Sequence, residues 1–202
     1  MKNAFVATTV FLLIFSINTH AQLFKGGFLA GFNACQVDGD TYSGYDHFGF
    51  MAGAFIYTPI STSVDIQFEI KYMGKGASKL SSETDPIKYV NNLNYIELPV
   101  ILRVNTRSKF GIEGGLGFAY LFSSSITDNF GTYPTNFKTF ELNMQIGGTY
   151  NITDKLKVDL RYSYSLTPIL DPAGAAFNPY FLPRGAYNNL FTLGLYYTIG
   201  NK

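Results

Sequence analysis

The chain has 202 residues and a formal net charge of +1, from 15 Lys and Arg against 14 Asp and Glu. That balance supplies neither the basic field that attracts nucleic acid nor an acidic tail. Aromatic residues reach 17% and charged residues only 14%, against about 25% charged in soluble domains, so charge is too scarce to cover an ordinary wetted surface.

Lys2 precedes an apolar run from Ala4 to Ile17 that is broken only by Thr8, Thr9 and Ser16, and Thr19-His20-Ala21 follows. A basic start, a short apolar core and a small-residue junction predict a secretory signal peptide over residues 1–21, cleaved after Ala21. The run falls short of the about 20 residues that a spanning helix needs. No cysteine stands at the junction, which argues against a lipoprotein. Residues 22–202 then form one domain, and no stretch within it is long and apolar enough for a membrane helix. Cys35, the single cysteine, excludes an intrachain disulfide and reads as a small buried or lipid-facing residue.

Eight strands follow in order. The first, about Phe24 to Gln36, sets Phe28, Ala30, Phe32 and Ala34 on one face. The second, about His47 to Thr58, is rich in Gly and Ala, and its facing is ambiguous. The third, Thr62 to Gly76, is the most diagnostic: Val64, Ile66, Phe68, Ile70 and Tyr72 alternate with Asp65, Gln67, Glu69, Lys71 and Met73. Side chains in a strand point to opposite faces in turn, so this segment is oily on one side and charged on the other. The fourth, about Asn92 to Asn105, places Ile96, Leu98, Val100, Leu102 and Val104 outward and Tyr95, Glu97, Pro99, Ile101 and Arg103 inward. Pro99 has no N–H for a ladder, which predicts a local irregularity there.

The fifth, Phe110 to Phe122, turns Phe110, Ile112, Leu116, Phe118, Tyr120 and Phe122 outward and lines its inner face with Gly111, Glu113, Gly115, Gly117 and Ala119. Inner-face glycines let a narrow barrel curve and leave room for larger neighbours. The sixth, Lys138 to Tyr150, hides Glu141, Asn143 and Gln145. The seventh, Leu156 to Leu166, sets Leu156, Val158, Leu160, Tyr162 and Tyr164 against Lys157, Asp159, Arg161, Ser163 and Ser165. The eighth, Asn188 to Ile199, faces Phe191, Leu193, Leu195, Tyr197 and Ile199 outward. No helical segment is left to cover a sheet. The set therefore predicts an all-β, eight-stranded, antiparallel up-and-down transmembrane barrel whose lumen is filled by side chains.

Connection lengths agree. Short links at Pro59 to Ser61, Thr106 to Lys109 and Asn151 to Lys155 alternate with long ones at Val37 to Asp46, Ala77 to Asn91, Ser123 to Phe137 and Thr167 to Tyr187. Barrels of the bacterial outer membrane join strands by short periplasmic turns and long outer loops. Aromatics near strand ends, namely Tyr57, Tyr72, Tyr120, Phe122, Tyr150, Tyr164 and Tyr197, are expected to form interfacial girdles in contact with outer-membrane lipid.

The inward faces collect Asp65, Glu69, Glu97, Glu113, Glu141 and Asp159 against Lys71, Lys75, Arg103, Lys157 and Arg161. Eight strands enclose only enough space for side chains, and an unpaired charge there would be expensive. These groups are expected to pair across the axis as a structural ion network, with a selective conduit as the alternative.

Several segments resemble a known family: Lys71-Tyr72-Met73-Gly74-Lys75-Gly76, Asn94-Tyr95-Ile96-Glu97-Leu98-Pro99-Val100-Ile101-Leu102-Arg103, the Gly-rich Gly111 to Tyr120 strand, and Asp159-Leu160-Arg161-Tyr162-Ser163-Tyr164. They are similar to the PorT-type outer-membrane β-barrel proteins of Bacteroidota over essentially the whole of residues 22–202, most specifically at Tyr95-Ile96-Glu97-Leu98-Pro99. The Ala21-Gln22 junction also resembles cleavage sites of that phylum. The resemblance implies an eight-stranded outer-membrane barrel, and its name-giving member belongs to the type IX secretion and gliding machinery. The chain departs from the pattern by ending Thr198-Ile199-Gly200-Asn201-Lys202, so an assembly signal would be read from Tyr196 or Tyr197.

Catalytic and metal signals are weak. His47, the one histidine of residues 22–202, lies near loop serines such as Ser43, with no third group to orient it. Asp38, Asp40 and Asp46 with Gly39 and Gly44 lack the spacing and terminal glutamate of a calcium loop and read as turn formers. Gly114-Gly115-Leu116-Gly117 has no helix after it to cradle phosphate. No enzyme, cofactor or metal is therefore expected. The expected role is a structural or interaction scaffold displaying outer loops, possible partners being envelope or secretion-machinery proteins; the alternative is small-molecule transport or a lipid-modifying enzyme. The longest loop, 167–187, carries Pro168, Pro172, Pro179 and Pro183 with Phe177, Tyr180, Phe181 and Tyr187. The readings that stay open for it are a displayed contact surface, and against that a lid folded back over the lumen or aromatics resting in the headgroup region.

Overall fold

The computed structural model describes residues 24–39, 44–79, 89–133, 136–170 and 182–199. The signal segment with its Ala21 junction, Asp40, Ser43, the centre of the longest loop and residues 200–202 lie outside them. The described residues hold nine strands and no helix: β1 (Lys25–Asp38), β2 (His47–Pro59), β3 (Val64–Lys79), β4 (Tyr89–Asn105), β5 (Phe110–Asp128), β6 (Gly131–Tyr133), β7 (Phe140–Asn151), β8 (Leu156–Ser165) and β9 (Tyr187–Ile199). Eight of them pair antiparallel with their chain neighbours, and β9 returns to β1, so the sheet closes on itself. Closure satisfies every edge, as hydrocarbon surroundings demand. β6 is the one addition to the eight expected strands, a three-residue arm that folds back on the long-loop end of β5 and takes no part in closure.

The period-2 facing holds around the barrel. Phe28, Phe32, Ile70, Leu98, Leu102, Phe118, Ile146, Leu160 and Leu193 stand exposed on the outer wall, Phe32 at 72% of its free area. A water-soluble sheet would bury these side chains, whereas here polar and charged groups are buried instead. The ambiguous β2 resolves with Phe48, Phe50 and Ile56 outward and Met51 and Phe55 inward. Cys35 is buried in the lumen, its Sγ 3.1 Å from Asn33 Oδ1. One girdle expectation is corrected: Tyr57 shares the inward parity of Phe55 and lines the mouth at the short-turn end, stacked on the Phe55 ring at 6.2 Å. On the outer wall, Tyr72 packs on Phe50 at 4.8 Å, Tyr120 on Phe140 at 5.5 Å and Phe110 on Tyr150 at 4.9 Å.

Pro99 acts more locally than a bulge would. Pairing of β3 with β4 runs from Val64↔Val104 to Phe68↔Val100, skips Glu69 and Ile70, and resumes in the same register at Lys71↔Glu97. The missing N–H interrupts the ladder without shifting it. The shift in β4 occurs instead at Asn94/Tyr95 against β5, where Tyr95 faces Leu121 and Asn94 faces Ser123. Gly117 meets the expected need for space: a Cβ there would come within 2.6 Å of both Asn143 Oδ1 and Gln145 Nε2. At Gly76, φ is +150° and a Cβ would collide with the carbonyl oxygen of Asn91, so this site needs glycine on both counts.

Candidate functional site: the charged lumen

Among the described residues the buried Asp, Glu, Lys and Arg side chains all come from one side of the barrel. β3 contributes Glu69, Lys71 and Lys75, β4 Glu97 and Arg103, β5 Glu113, β7 Glu141, and β8 Lys157, Asp159 and Arg161. Among the described residues these are five buried acids and five buried bases. The inward faces of β1, β2 and β9 carry Leu29, Met51, Phe55, Leu190 and Tyr196, together with amides such as Asn33 and Asn188. The lumen is thus divided lengthwise into a side that carries the buried ions and a side, lined by β1, β2 and β9, where no Asp, Glu, Lys or Arg is buried among the described residues.

The ions form an unbroken chain of alternating sign. Arg103 Nε lies 3.1 Å from Glu113 Oε2, and Glu113 contacts Arg161. Arg161 Nη2 reaches Glu69 Oε1 at 3.1 Å, and Glu69 Oε2 accepts from Lys71 at 2.9 Å. Lys71 lies 3.4 Å from Glu97, Glu97 is 2.9 Å from Lys75, and Lys75 is 2.9 Å from Glu141. Two links join neighbouring strands directly opposite each other, Arg103↔Glu113 and Lys71↔Glu97. Others cross the lumen: Arg161 of β8 to Glu69 of β3, and Lys75 of β3 to Glu141 of β7.

Arg161 is the hub. Its Nε donates to Glu113 Oε1 at 2.8 Å, Nη1 to Glu69 Oε2 at 3.1 Å and Gln145 Oε1 at 3.0 Å, and Nη2 to Glu69 Oε1 at 3.1 Å and Asp159 Oδ2 at 3.0 Å. Five donors on a rigid plane match this ring of acceptors as no lysine could. Amides fill the gaps. Gln67 Nε2 donates to Glu69 at 2.6 Å, Gln145 Nε2 to Glu97 at 2.8 Å, and Asn188 Nδ2 to Glu141 at 2.7 Å. Glu69, Glu97 and Glu141 are therefore each answered by both a cation and a neutral donor, and Glu113 by two guanidinium groups, the condition for burying charge without heavy penalty.

Two expected members sit apart. Asp65 is half-buried at the short-turn mouth and accepts from Asn105 Nδ2 at 2.6 Å. Lys157 lies over the Tyr196 ring, Nζ 4.6 Å from its centroid, instead of beside a carboxylate. Sequence reasoning named the members but missed the hub role of Arg161 and the amides Gln67, Gln145 and Asn188; their inward parity was the available signal.

The long-loop end is capped. Ile169 is fully buried in the same apolar cluster as Val37, Ala77, Leu93, Leu121 and Leu190. Its N–H donates to Ala186 O at 2.8 Å, and its carbonyl accepts from Lys138 N at 2.8 Å. Tyr187 stacks on Tyr164 and donates to Pro183 O. The described ends of loop 167–187 thus fold inward as a lid; Pro172, Phe177, Pro179, Tyr180 and Phe181 lie outside the described residues.

The other sequence candidates that lie among the described residues take local partners. His47 is buried, with Nδ1 2.7 Å from Ser78 Oγ. Asp38 Oδ1 accepts from Gln36 at 2.7 Å. Among the described residues no three His, Cys, Asp or Glu side chains converge as a metal site.

A closed eight-stranded antiparallel barrel with an oily exterior and a charged, hydrogen-bonded interior is the architecture of a small outer-membrane β-barrel. Comparison with known proteins agrees. Residues 20–171 match the outer membrane protein beta-barrel domain family, and the chain belongs to it. Among solved structures, Neisserial surface protein A aligns over 86% of this chain and 97% of its own, with 14% identity and a TM-score of 0.58. The attachment invasion locus protein Ail of Yersinia pestis aligns over 87% of this chain and 98% of its own, with 11% identity and a TM-score of 0.55. At such identities the likeness is one of fold. No curated protein is a significant match to the chain. The family and the barrel together locate the protein in the outer membrane.

Proposed function

We propose that this protein is an integral outer-membrane scaffold, exported by cleavage after Ala21, with its short turns in the periplasm and its long loops outside. Its rigid barrel presents those loops, and in this reading it acts as a component of, or accessory to, a type IX secretion-like machinery. The observation that carries the scaffold reading is the ion chain from Arg103 to Glu141, which fills the lumen with mutually satisfied groups. A conduit needs charges left free to exchange with passing solutes, and here every link is taken up by a neighbour. The same occlusion argues against small-molecule transport. The machinery assignment draws on the resemblance of Tyr95-Ile96-Glu97-Leu98-Pro99 and the neighbouring segments to PorT-type barrels of Bacteroidota.

Nothing in this reading calls on an enzyme, a metal or a cofactor, since the lumen groups serve one another. Affinity purification from detergent-solubilised outer membranes, with identification of the co-purifying chains, tests it. Recovery of secretion components is the expected result. Recovery of the barrel alone would sink the machinery assignment and leave a free-standing surface protein.

A further inference from the structure

We infer that the short-turn mouth of the barrel is a binding site for a small oxyanion carrying two or more negative oxygens. This mouth opens into a cavity of about 490 Å³, within the range of small-molecule sites at roughly 300–1,000 Å³. Its wall carries five cations, Arg103, Arg107, Lys109, Lys155 and Lys157, against two carboxylates, Asp65 and Asp154. The buried lumen, Arg103 and Lys157 included, holds equal numbers of acids and bases among the described residues, so the positive excess at the mouth comes from its rim, where Arg107, Lys109 and Lys155 stand against Asp65 and Asp154.

Lys157 is the decisive residue. It is 8% exposed, yet among the described residues its ammonium has no carboxylate in ion-pair contact, unlike the buried cations Lys71, Lys75, Arg103 and Arg161. Asp159, two residues along the same face, accepts from Arg161 Nη2 at its Oδ2. What holds the Lys157 ammonium is aromatic: Tyr196 at 4.6 Å and Phe55 at 5.9 Å. Ring faces steady a cation without neutralising it. A buried ammonium with no carboxylate in contact is costly, and an anion entering from the open side would complete the alternation that Arg103 and Glu113 begin. Ammonium and guanidinium groups together suit carboxylate and phosphate oxygens equally. In the proposed orientation the mouth faces the periplasm, so the ligand would be a soluble solute and not a lipid headgroup.

The test is calorimetric titration of the refolded mature barrel in zwitterionic detergent, at low salt and without phosphate, using citrate and inorganic pyrophosphate as probes. Saturable one-to-one binding of at least one probe is expected, and which of the two binds distinguishes a carboxylate from a phosphate ligand. Lys157→Met should weaken it about tenfold, the effect of losing one charged hydrogen bond. The double variant Arg107→Ser/Lys109→Ser removes two rim cations without touching the buried lumen and should weaken binding comparably, which keeps the test decisive if Lys157→Met fails to fold. Absence of saturable heat with both probes, or binding that the rim variant leaves unchanged, would overturn the inference.

Discussion

Arg161 of β8 and Glu69 of β3 meet across the lumen in a two-point pair, with Nη1 3.1 Å from Oε2 and Nη2 3.1 Å from Oε1. They belong to strands on different parts of the wall, so this pair ties the ion-bearing side of the lumen together from strand to strand. Neither residue is adjacent to the other in the sheet. The barrel's interior is therefore specified by contacts through its axis as well as by its ladders.

Removing the hub should be severe. Arg161→Met leaves Glu69, Glu113 and Asp159 without the cation they share. Breaking a buried pair by deleting one partner costs about 3–5 kcal/mol. Urea unfolding of the barrel in lipid vesicles should show a loss of that size. Arg161→Lys, which keeps the charge but not the planar fork, should recover only part of it; full recovery would reduce the hub to a point charge.

Arg103→Ala should loosen Glu113, leaving it to Arg161 alone, and should not affect Glu97, since Arg103 Nε lies 3.1 Å from Glu113 while Glu97 is held by Lys71 and Lys75. A double-mutant cycle between Arg103→Ala and Glu113→Gln should give a coupling of about 0.5–3 kcal/mol. The corresponding cycle with Glu97→Gln should give a smaller one.

Outside the barrel the sign of preference reverses. Val100 lies on the outer wall, flanked by Phe68 of β3 and Leu116 of β5. Val100→Arg should lower folded-state stability in bilayers by about 2–4 kcal/mol, the penalty for a cation on the lipid face near the midplane. Unimpaired folding of the variant would mean that Val100 does not face lipid.

Two glycines, Gly117 facing the lumen and Gly148 exposed on the outer wall, contrast a crowded site with an open one. Gly117→Ala brings a methyl to within 2.6 Å of Asn143 and Gln145, whereas the nearest atom to a Cβ at Gly148 is 3.8 Å away. Overpacking of this kind costs about 1–3 kcal/mol. Denaturant midpoints should fall for Gly117→Ala and stay close to the parent for Gly148→Ala.

The facing of the wall was legible because lipid imposes it: each outward residue of β3, β4, β5, β7, β8 and β9 obeys strict alternation, and one slip would carry every charge into hydrocarbon. β2 was not legible in this way, since glycine and alanine fit either face, and only the closed barrel turns Met51 and Phe55 inward. Tyr57 read as a girdle residue because it stands near a strand end, but its parity with Phe55 takes it inside. Pairing within the lumen was legible in membership but not in order. Arg103 and Glu113 are cross-strand neighbours, recoverable from register, while Arg161 with Glu69 and Lys75 with Glu141 meet only once curvature brings distant strands together. The lengthwise division of the lumen was hidden for the same reason: inward parity marks a residue as internal without saying what it faces.

Among the described residues the ion chain occupies the lumen and Ile169 covers its long-loop end, so the barrel is expected not to conduct. Planar-bilayer recording from the purified barrel tests this most directly. The account predicts a flat trace, with no discrete steps at applied voltages that leave the bilayer intact. Reproducible single-channel steps from the parent protein would contradict it.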